Sequence, residues 1–567
     1  MGTLEKYNEW IQSPNVPESV KNELRNMTAE EIDDAFYKNI EFGTAGMRGI
    51  LGPGTNRINI FTVRKATIAF GLFLEKTVPN AKEKGVVISH DNRYMSREFT
   101  FECSYVLMKM GFNTFIFDSL RPTPELSFAV RFMKAAGGVM ITASHNPKEY
   151  NGYKVYDYTG CQIVPKEIAP LIEIINGLPS EINCEVPVSE KEGQFNILDH
   201  QVDSEYVSEV REIQINPTLN KKDFKIVYSP QHGASCVNAL RVFKKSGYKV
   251  YPVISQCAPD PAFSGTLTPN PEDPRAYEQA LIYAKNVDAD LVCTTDPDGD
   301  RVGIAGKCRD GHYRLFNGNE SAALLMNYIF HERERAGSLS KNGVMYNTIV
   351  TSSLGEKIAS SYGVKTEQFL TGFKYIGNRI HYYEEHGGPD FEFGYEESYG
   401  CIISPIVRDK DGIQAILLYS EMALFYKLHN KTLEEQLNEI QEKFGYHHEV
   451  THSIQFKGSK GNQDMLDLMN NIRKNPLDEL CGLKVEKWND YLTQFSHKKK
   501  VQERIFNLDA SNVIKFFFED GSTISIRPSG TEPKCKFYVE GVGKSDAEAR
   551  ALEEKLFIAF KEKYNII

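Results

Sequence analysis

Thr142-Ala143-Ser144-His145-Asn146-Pro147 closes an apolar run, Val139-Met140-Ile141, and Asn151-Gly152-Tyr153-Lys154 follows closely. A serine held at a strand end beside His145 and near Lys154 has what a covalent carrier of an anionic group needs: a nucleophilic oxygen and groups that handle its proton. The same residue types also build an ordinary turn, so this loop gains meaning from the others. Asp296-Pro297-Asp298-Gly299-Asp300-Arg301 places carboxylates at alternate positions after the apolar run Leu291-Val292-Cys293. Such carboxylates can converge on one hard cation, and donors that are all oxygen favour magnesium or calcium over zinc. An EF-hand is excluded, because Arg301 stands where that loop needs Gly and Lys307 where it needs Glu. Open coordination positions could take a phosphate oxygen or water.

Two further loops carry groups suited to a phosphorylated sugar. Gly394-Tyr395-Glu396-Glu397-Ser398-Tyr399-Gly400 offers carboxylates and a hydroxyl between glycines, with Lys410 in the nearby Arg408-Asp409-Lys410-Asp411-Gly412. Arg527-Pro528-Ser529-Gly530-Thr531-Glu532-Pro533-Lys534 combines a guanidinium fork, hydroxyls and exposed backbone N–H groups, a set that fits a phosphate dianion. Gly43-Thr44-Ala45-Gly46-Met47-Arg48-Gly49 is a glycine-rich loop without the Walker ending or the dinucleotide spacing; Arg48 is its reactive candidate.

The elements that must position these loops repeat. Strand-like runs occur at Val86–Ile88, Thr114–Phe117 and Val139–Ile141, at Ile226–Tyr228, Val250–Val253 and Leu291–Cys293, and at Val344–Tyr346, Val364–Thr366 and Phe391–Phe393. The first and third of each set lie about 50 to 65 residues apart, which predicts a repeated α/β module. Alternation with helical segments predicts mostly parallel sheets, helices on both faces, and function in the loops at the strand C-terminal ends. Thr123 and Pro124 read as a helix N-cap and first helical residue. Ile413–Leu428 reads as a helix with an apolar face that leaves Glu421 and Lys427 in solvent. The tail differs: Val513–Phe518 and Thr523–Ile526 flank Asp520-Gly521 as a hairpin, and Ser545 to Glu548 reads as a capping box for a last helix reaching Lys561. The fold class is α/β, with three related mixed-sheet domains at 1–215, 216–330 and 331–445 and a smaller α+β domain at 446–567.

The chain has 567 residues, 41% hydrophobic and 25% charged, the composition of a soluble protein of several domains. A net charge of -10 without a long basic stretch argues against nucleic acid; Lys498-Lys499-Lys500 reads as a solvated face. No run approaches the ~20 apolar residues of a membrane span, the first residues lack a signal-peptide core, and myristoylation is not expected. Ten cysteines without a CxxC pair fit a reducing compartment better than a disulfide framework or a zinc site. The expectation is a cytoplasmic protein, with oligomeric state left open.

Taken together, TASHNP at 142–147, DPDGDR at 296–301, GYEES at 394–398 and RPSGTEPK at 527–534 resemble the α-D-phosphohexomutase family, in family order and across nearly the whole chain. The GTAGMRG opening is similar to the branch with phosphoglucomutase-2-type enzymes and phosphopentomutases. The resemblance implies three related α/β domains plus a different fourth. It makes Ser144 the phosphorylated serine and, with Asp296, Asp298 and Asp300, a ligand of magnesium. It places Arg301 near the phosphoserine and gives Lys154, Lys410, His145 and Arg48 catalytic roles. It assigns Thr371, Gly372, Lys374, Glu396 and Ser398 to the sugar, and Arg527, Ser529, Gly530 and Thr531 to the non-reacting phosphate. The implied activity interconverts glucose 1-phosphate and glucose 6-phosphate, with glucose 1,6-bisphosphate as intermediate and activator. Mannose and pentose phosphates are alternative substrates; bisphosphate synthase, sugar phosphatase and a non-catalytic sugar-phosphate sensor are alternative roles. A lysine set among cations has its pKa lowered toward neutrality, where it can take a sugar hydroxyl proton. Two departures stand out: Gly299 replaces an alanine common among members, and Cys401 stands where some mannose/glucose members carry a histidine.

Overall fold

The computed structural model describes residues 2–43, 46–198, 200–456, 461–498, 501–505, 508–529 and 534–566. Helices at Thr3–Gln12, Glu18–Arg25 and Ala29–Phe36 precede the first module. Thr28 and Glu31 cap the third of them reciprocally. These helices bury Trp10, Leu24, Ala35 and Phe36 against Phe61 and Ile182, and the Trp10 indole N–H donates to Glu181 Oε1 at 3.1 Å. Burying an aromatic side chain of this size stabilises by roughly 2 to 3 kcal/mol.

The first module contains β1 (Met47–Ile50), β2 (Val86–His90), β3 (Thr114–Phe117), β4 (Gly137–Ile141), β5 (Tyr150–Tyr156) and β6 (Phe195–Leu198), in the sheet order β1-β5-β4-β2-β3-β6. The second contains β7 (Lys225–Ser229), β8 (Lys249–Pro252), β9 (Leu291–Thr295), β10 (Val302–Lys307) and β11 (Tyr313–Phe316), ordered β11-β10-β9-β7-β8. β2 is parallel to β3 and β4, as β7 is to β8 and β9. In these triplets β2, β4, β7 and β9 are short, apolar and buried along nearly their whole length, as strands covered on both faces are, while the edge strand β8 stays partly exposed.

The sheets are less parallel than the sequence pattern predicts. β5 returns antiparallel to β4 and β10 antiparallel to β9, so the serine loop and the acidic loop are each the turn between a core strand and its antiparallel return. In the third repeat, β12 (Gly343–Thr348) and β13 (Lys365–Phe369) pair in parallel, and β14 (Asp390–Glu396) turns through residues 397–399 into antiparallel β15 (Gly400–Ile402). A two-state hydrophobic pattern reports burial, not strand direction, and these return strands follow too closely to be read as separate units.

The tail holds β16 (Tyr446–Gln455), β17 (Glu479–Leu480), β18 (Leu483–Asp490), β19 (Phe495–Lys498), β20 (Val501–Arg504), β21 (Ile514–Phe518), β22 (Thr523–Pro528) and β23 (Lys534–Gly543). The sheet runs β16-β23-β22-β21-β18-β19-β20, with β17 on β18. The expected hairpin is β21–β22, closing at Phe517 opposite Thr523. The last helix spans Asp546–Lys563; Ser545 caps it, but Glu548 bonds the amide of Lys544 instead of completing the box.

The chain divides into two compact units, Met1–Gly318 with Phe373–Asn430, and Asn319–Gly372 with Lys431–Ile567. The first unit contains the cores around β2 and β7, and the second contains the core beneath the tail sheet. Among the described residues no helix is long and apolar enough to cross a membrane.

Two local expectations need correction. Thr123 is the first helical residue, with Pro122 at the N-cap and Pro124 one place later than expected. In the helix Gly412–Leu428, Lys427 faces solvent in part but Glu421 is buried. Its carboxylate accepts the amides of Ile215 (2.9 Å) and Asn216 (3.0 Å). This helix is enclosed on nearly all sides, so its polar residue serves neighbouring backbone instead of water.

Candidate active site

Ser144 follows β4 in the left-handed region, φ 51°, a conformation unfavourable for a residue with a Cβ and kept only where surroundings enforce it. Its amide donates to Thr142 Oγ1 at 2.7 Å, and Thr142 Oγ1 in turn donates to Asp91 Oδ2 at 2.6 Å. The guanidinium of Arg93 lies beneath the loop. It donates to the carbonyls of Ser144 (2.6 Å), Asn146, Pro147 (2.7 Å) and Tyr150 (3.0 Å). Arg93 is fully buried beside Asp91, 3.2 Å from Nε to Oδ2. Burial pushes this guanidinium down from its ordinary value while Asp91, Asp298 and Asp296 oppose that shift.

The acidic loop turns between β9 and β10, and its backbone is held by two helix starts. The Thr123 amide donates to Asp298 O at 2.8 Å and the Gly412 amide to Gly299 O at 3.1 Å. Gly299 has φ 70°, and a Cβ there would lie 2.8 Å from Pro122 Cβ. This packing demands glycine, so the departure noted in the sequence has a structural reason.

The two loops meet through side chains. Ser144 Oγ donates to Asp296 Oδ2 at 2.8 Å, and His145 Nδ1 lies 3.1 Å from the same Oγ. Lys154 Nζ donates to Asp298 Oδ2 at 2.9 Å, joined by Thr123 Oγ1 at 3.1 Å. The Arg301 amide donates to Asp296 Oδ1 at 3.1 Å, and its guanidinium pairs with Glu272. Arg48 Nη1 donates to Asn146 Oδ1 at 3.2 Å. Lys410 Nζ lies 3.1 Å from Asp300 Oδ2, 3.4 Å from Asp409 Oδ1 and 3.8 Å from Glu396 Oε2. Gly400 makes room for the Lys410 stem, since a Cβ there would lie 2.0 Å from Lys410 Cδ.

Ligand oxygens of Asp296, Asp298 and Asp300 lie within 4.8 Å of one another. Asp298 Oδ1 and Asp300 Oδ1 are buried without a hydrogen-bond partner. A buried carboxylate oxygen lacking a donor is costly, and three converging oxygens fit a hard divalent cation. Burial and the neighbouring Asp298 and Asp300 push Asp296 well above the usual carboxylate range. Burial would also raise Asp298, but Lys154, Asp296 and Lys410 together outweigh it and hold that carboxyl down.

Lys410 is not a lysine depressed by neighbouring cations. Burial lowers it, yet Asp300, Asp409 and Glu396 more than reverse this and hold it above the ordinary lysine range. Its nearest charged partners are carboxylates, so it is fixed as a cation.

The first unit thus brings together Ser144, His145, Lys154, Arg48, Asp296, Asp298, Asp300, Arg301, Glu396 and Lys410. Ser398 sits half-buried in the turn before β15, and the Tyr399 carbonyl accepts the Val302 amide at 2.9 Å. Lys374 opens the helix Lys374–His386, its carbonyl accepting the Cys161 thiol at 3.3 Å. Thr371 and Gly372 belong to the second unit, where Thr371 Oγ1 is buried without a hydrogen-bond partner. Also in that unit, Arg527 lies on β22 opposite Lys536, and the Ser529 amide donates to Lys534 O at 2.7 Å. Gly530 and Thr531 lie outside the described residues.

Sequence reasoning missed Arg93 and Asp91. Their signal was the charged Asp91-Asn92-Arg93 just past a buried parallel strand, where such sheets place function.

Family models for the phosphoglucomutase/phosphomannomutase α/β/α domains I, II and III match residues 39–180, 204–311 and 317–444, and the C-terminal domain model matches 481–559. A phosphoglucomutase of Staphylococcus epidermidis is 36% identical over 94% of this chain and 96% of its own length. One of Staphylococcus aureus is 36% identical over 94% of each. For the fold, a putative phosphomannomutase from Thermus thermophilus superposes with a TM-score of 0.67 at 24% identity, covering 92% of this chain and 99% of that one. Parafusin from Paramecium gives 0.66 at 19% identity, covering 93% and 96%.

Proposed function

The chain belongs to the phosphoglucomutase/phosphomannomutase family, and from that premise we propose that it interconverts α-D-glucose 1-phosphate and glucose 6-phosphate through phosphoserine 144 and glucose 1,6-bisphosphate. The observation that carries this reading is the hydrogen bond from Ser144 Oγ to an aspartate of the acidic trio. A phosphoryl group on Oγ passes to the free hydroxyl of the bound sugar phosphate: a P–O bond forms to the sugar oxygen as the Oγ–P bond breaks. The bisphosphate turns over, and its other phosphoryl group returns to Oγ.

The sugar hydroxyl proton is released as the new bond forms, and Oγ regains one to bond Asp296 as observed. Lys154, with His145 beside Oγ, is assigned to that transfer, and Lys410 and Arg48 supply fixed positive charge. Magnesium, held by Asp296, Asp298, Asp300 and an oxygen on Ser144, would offset charge on the transferring group. Burial of Ser144, 3% exposed, keeps water from the reacting oxygen. Thr371, Gly372, Lys374, Glu396 and Ser398 are assigned to the sugar, and Arg527, Ser529, Gly530 and Thr531 to the non-reacting phosphate. Ten cysteines with no disulfide among them support a cytoplasmic setting.

Ser144→Ala tests the covalent role: turnover of glucose 1-phosphate should vanish, and substantial residual activity would refute it. Comparing glucose, mannose and ribose 1-phosphates, with and without glucose 1,6-bisphosphate, tests the substrate and separates a mutase from a synthase that needs an external donor.

A further inference from the structure

Lys154 and Tyr156 lie two residues apart on β5 and so share one face of that strand. Lys154 reaches Asp298 in the acidic loop. Tyr156 reaches a different segment: its phenol O–H donates to Asp409 Oδ2 at 2.9 Å. Asp409 belongs to residues 403–411, which join β15 to the helix Gly412–Leu428. Its other oxygen is engaged as well. Asp409 Oδ1 accepts the Lys410 amide at 2.8 Å and lies 3.4 Å from Lys410 Nζ. One carboxylate therefore grips Lys410 at both the backbone and the ammonium.

Tyr156 is more than a packing residue. Its ring is fully buried, and a phenylalanine would fill that space without bringing a hydroxyl into the interior. A buried phenol is kept where it has a partner. Burial, with Asp409 beside it, pushes the phenol well above the ordinary tyrosine value, so it stays a donor. The same segment is anchored twice more. The Arg408 amide donates to Ser127 Oγ at 2.9 Å, and the Tyr206 phenol donates to Asp411 Oδ1 at 2.8 Å. Between these anchors the Lys410 ammonium turns to the acidic trio, 3.1 Å from Asp300 Oδ2, with the Phe373 ring centre 5.5 Å away.

We propose that Tyr156 and Asp409 are positioning residues for phosphoryl transfer: the phenol fixes the carboxylate, and the carboxylate holds the Lys410 ammonium against Asp300. This assignment rests on the mutase reading and adds to it the residues that aim its fixed positive charge. One strand then serves the trio twice, Asp298 through Lys154 directly and Asp300 through Tyr156, Asp409 and Lys410 in series. Without the phenol, Asp409 Oδ2 loses its donor. A buried carboxylate oxygen left bare is costly, and the cation already beside it is Lys410. The ammonium is drawn from Asp300 toward Asp409, and a misplacement of about 1 Å at a reacting centre costs up to about 100-fold in rate.

Tyr156→Phe removes one oxygen and keeps the ring, so the thermal midpoint should shift by only a few degrees. With glucose 1-phosphate, kcat should fall about 10- to 100-fold while KM stays within about twofold, since Lys410 remains charged and near the site. Asp409→Ala should fall at least as far, and adding Tyr156→Phe to it should change nothing more. Asp409→Asn, which keeps an acceptor for the phenol, should lose less than Asp409→Ala. A crystal structure of Tyr156→Phe should show the Lys410 ammonium displaced from Asp300.

Unchanged kcat in Tyr156→Phe, a rise in KM alone, or the same fold-loss in the Asp409→Ala background would overturn the proposal. So would a Lys410 still seated on Asp300 in the variant crystal. Should Tyr156→Phe fail to fold, equal losses for Asn and Ala at position 409 would overturn it instead. The crystal structure needs no turnover. If the wild-type chain were no mutase, a displaced Lys410 would still establish the relay, while its part in phosphoryl transfer would fall with that reading.

Discussion

The loop carrying Ser144 and the loop carrying the three aspartates both join a parallel core strand to an antiparallel return strand. In the serine loop, a buried arginine gathers four backbone carbonyls and holds a serine in a left-handed conformation. In the acidic loop, two helix starts take the backbone carbonyls, and side-chain charge is balanced by Lys154 and Lys410, with two oxygens left unpartnered. The loop around Ser144 is therefore fixed by hydrogen bonds from within the protein. The acidic trio has oxygens close enough together to hold a divalent cation.

That contrast yields predictions of decreasing size. Arg93→Ala should cost the most, because it strands Asp91 and four carbonyls in the interior; breaking a buried pair of this kind costs about 3–5 kcal/mol. A large fall in the thermal midpoint with loss of turnover is expected, and an unchanged midpoint would show that the serine loop does not need its clamp. Arg93→Lys should recover only part, since an ammonium has three donors.

Lys154→Met acts on the other loop. Turnover should drop by about 100-fold or more, yet divalent-cation affinity should rise, because the trio loses its competing cation. Magnesium titration of this variant checks the sign; weaker binding would mean that Lys154 organises the trio instead of balancing it.

Gly299→Ala probes the close approach to Pro122. Left-handed strain plus the contact should destabilise by about 1–3 kcal/mol, measurable by urea unfolding. Little change would show that Pro122 gives way.

The smallest effect is in a pH slope. Asp411 caps the helix that holds the acidic loop, accepting from Ile413, Gln414 and Tyr206, and burial raises its carboxyl to about 6. The unfolded value is about 3.9. Between the two, the folded protein keeps a proton that the unfolded chain has released. This group therefore adds stability as pH falls from about 6 toward 4, and that contribution is lost as pH rises through 6. Asp411→Asn keeps the cap, so the thermal midpoint should lose that component of its pH dependence.

The strand runs of all three repeats were legible because short β-branched stretches ending in polar loops have few other readings. The antiparallel returns were not, since periodicity carries no direction. Glu421 misled because a charged residue on a patterned helix usually faces water; here the amides of Ile215 and Asn216 use it. The surroundings of Lys410 were not legible either: its sequence neighbours Arg408 and Asp409 gave no sign of Glu396 and Asp300 around its ammonium.

By itself the sequence determined which loops could carry chemistry and which donors they offer, because residue type fixes nucleophilicity, ligand hardness and turn propensity. Tertiary structure decided who meets whom. Ser144 bonds an aspartate 152 residues away and Lys154 one 144 residues away, and Arg93 serves a loop that no motif linked to it. Charge balance depends on through-space distance and burial, and neither is written in the order of the chain.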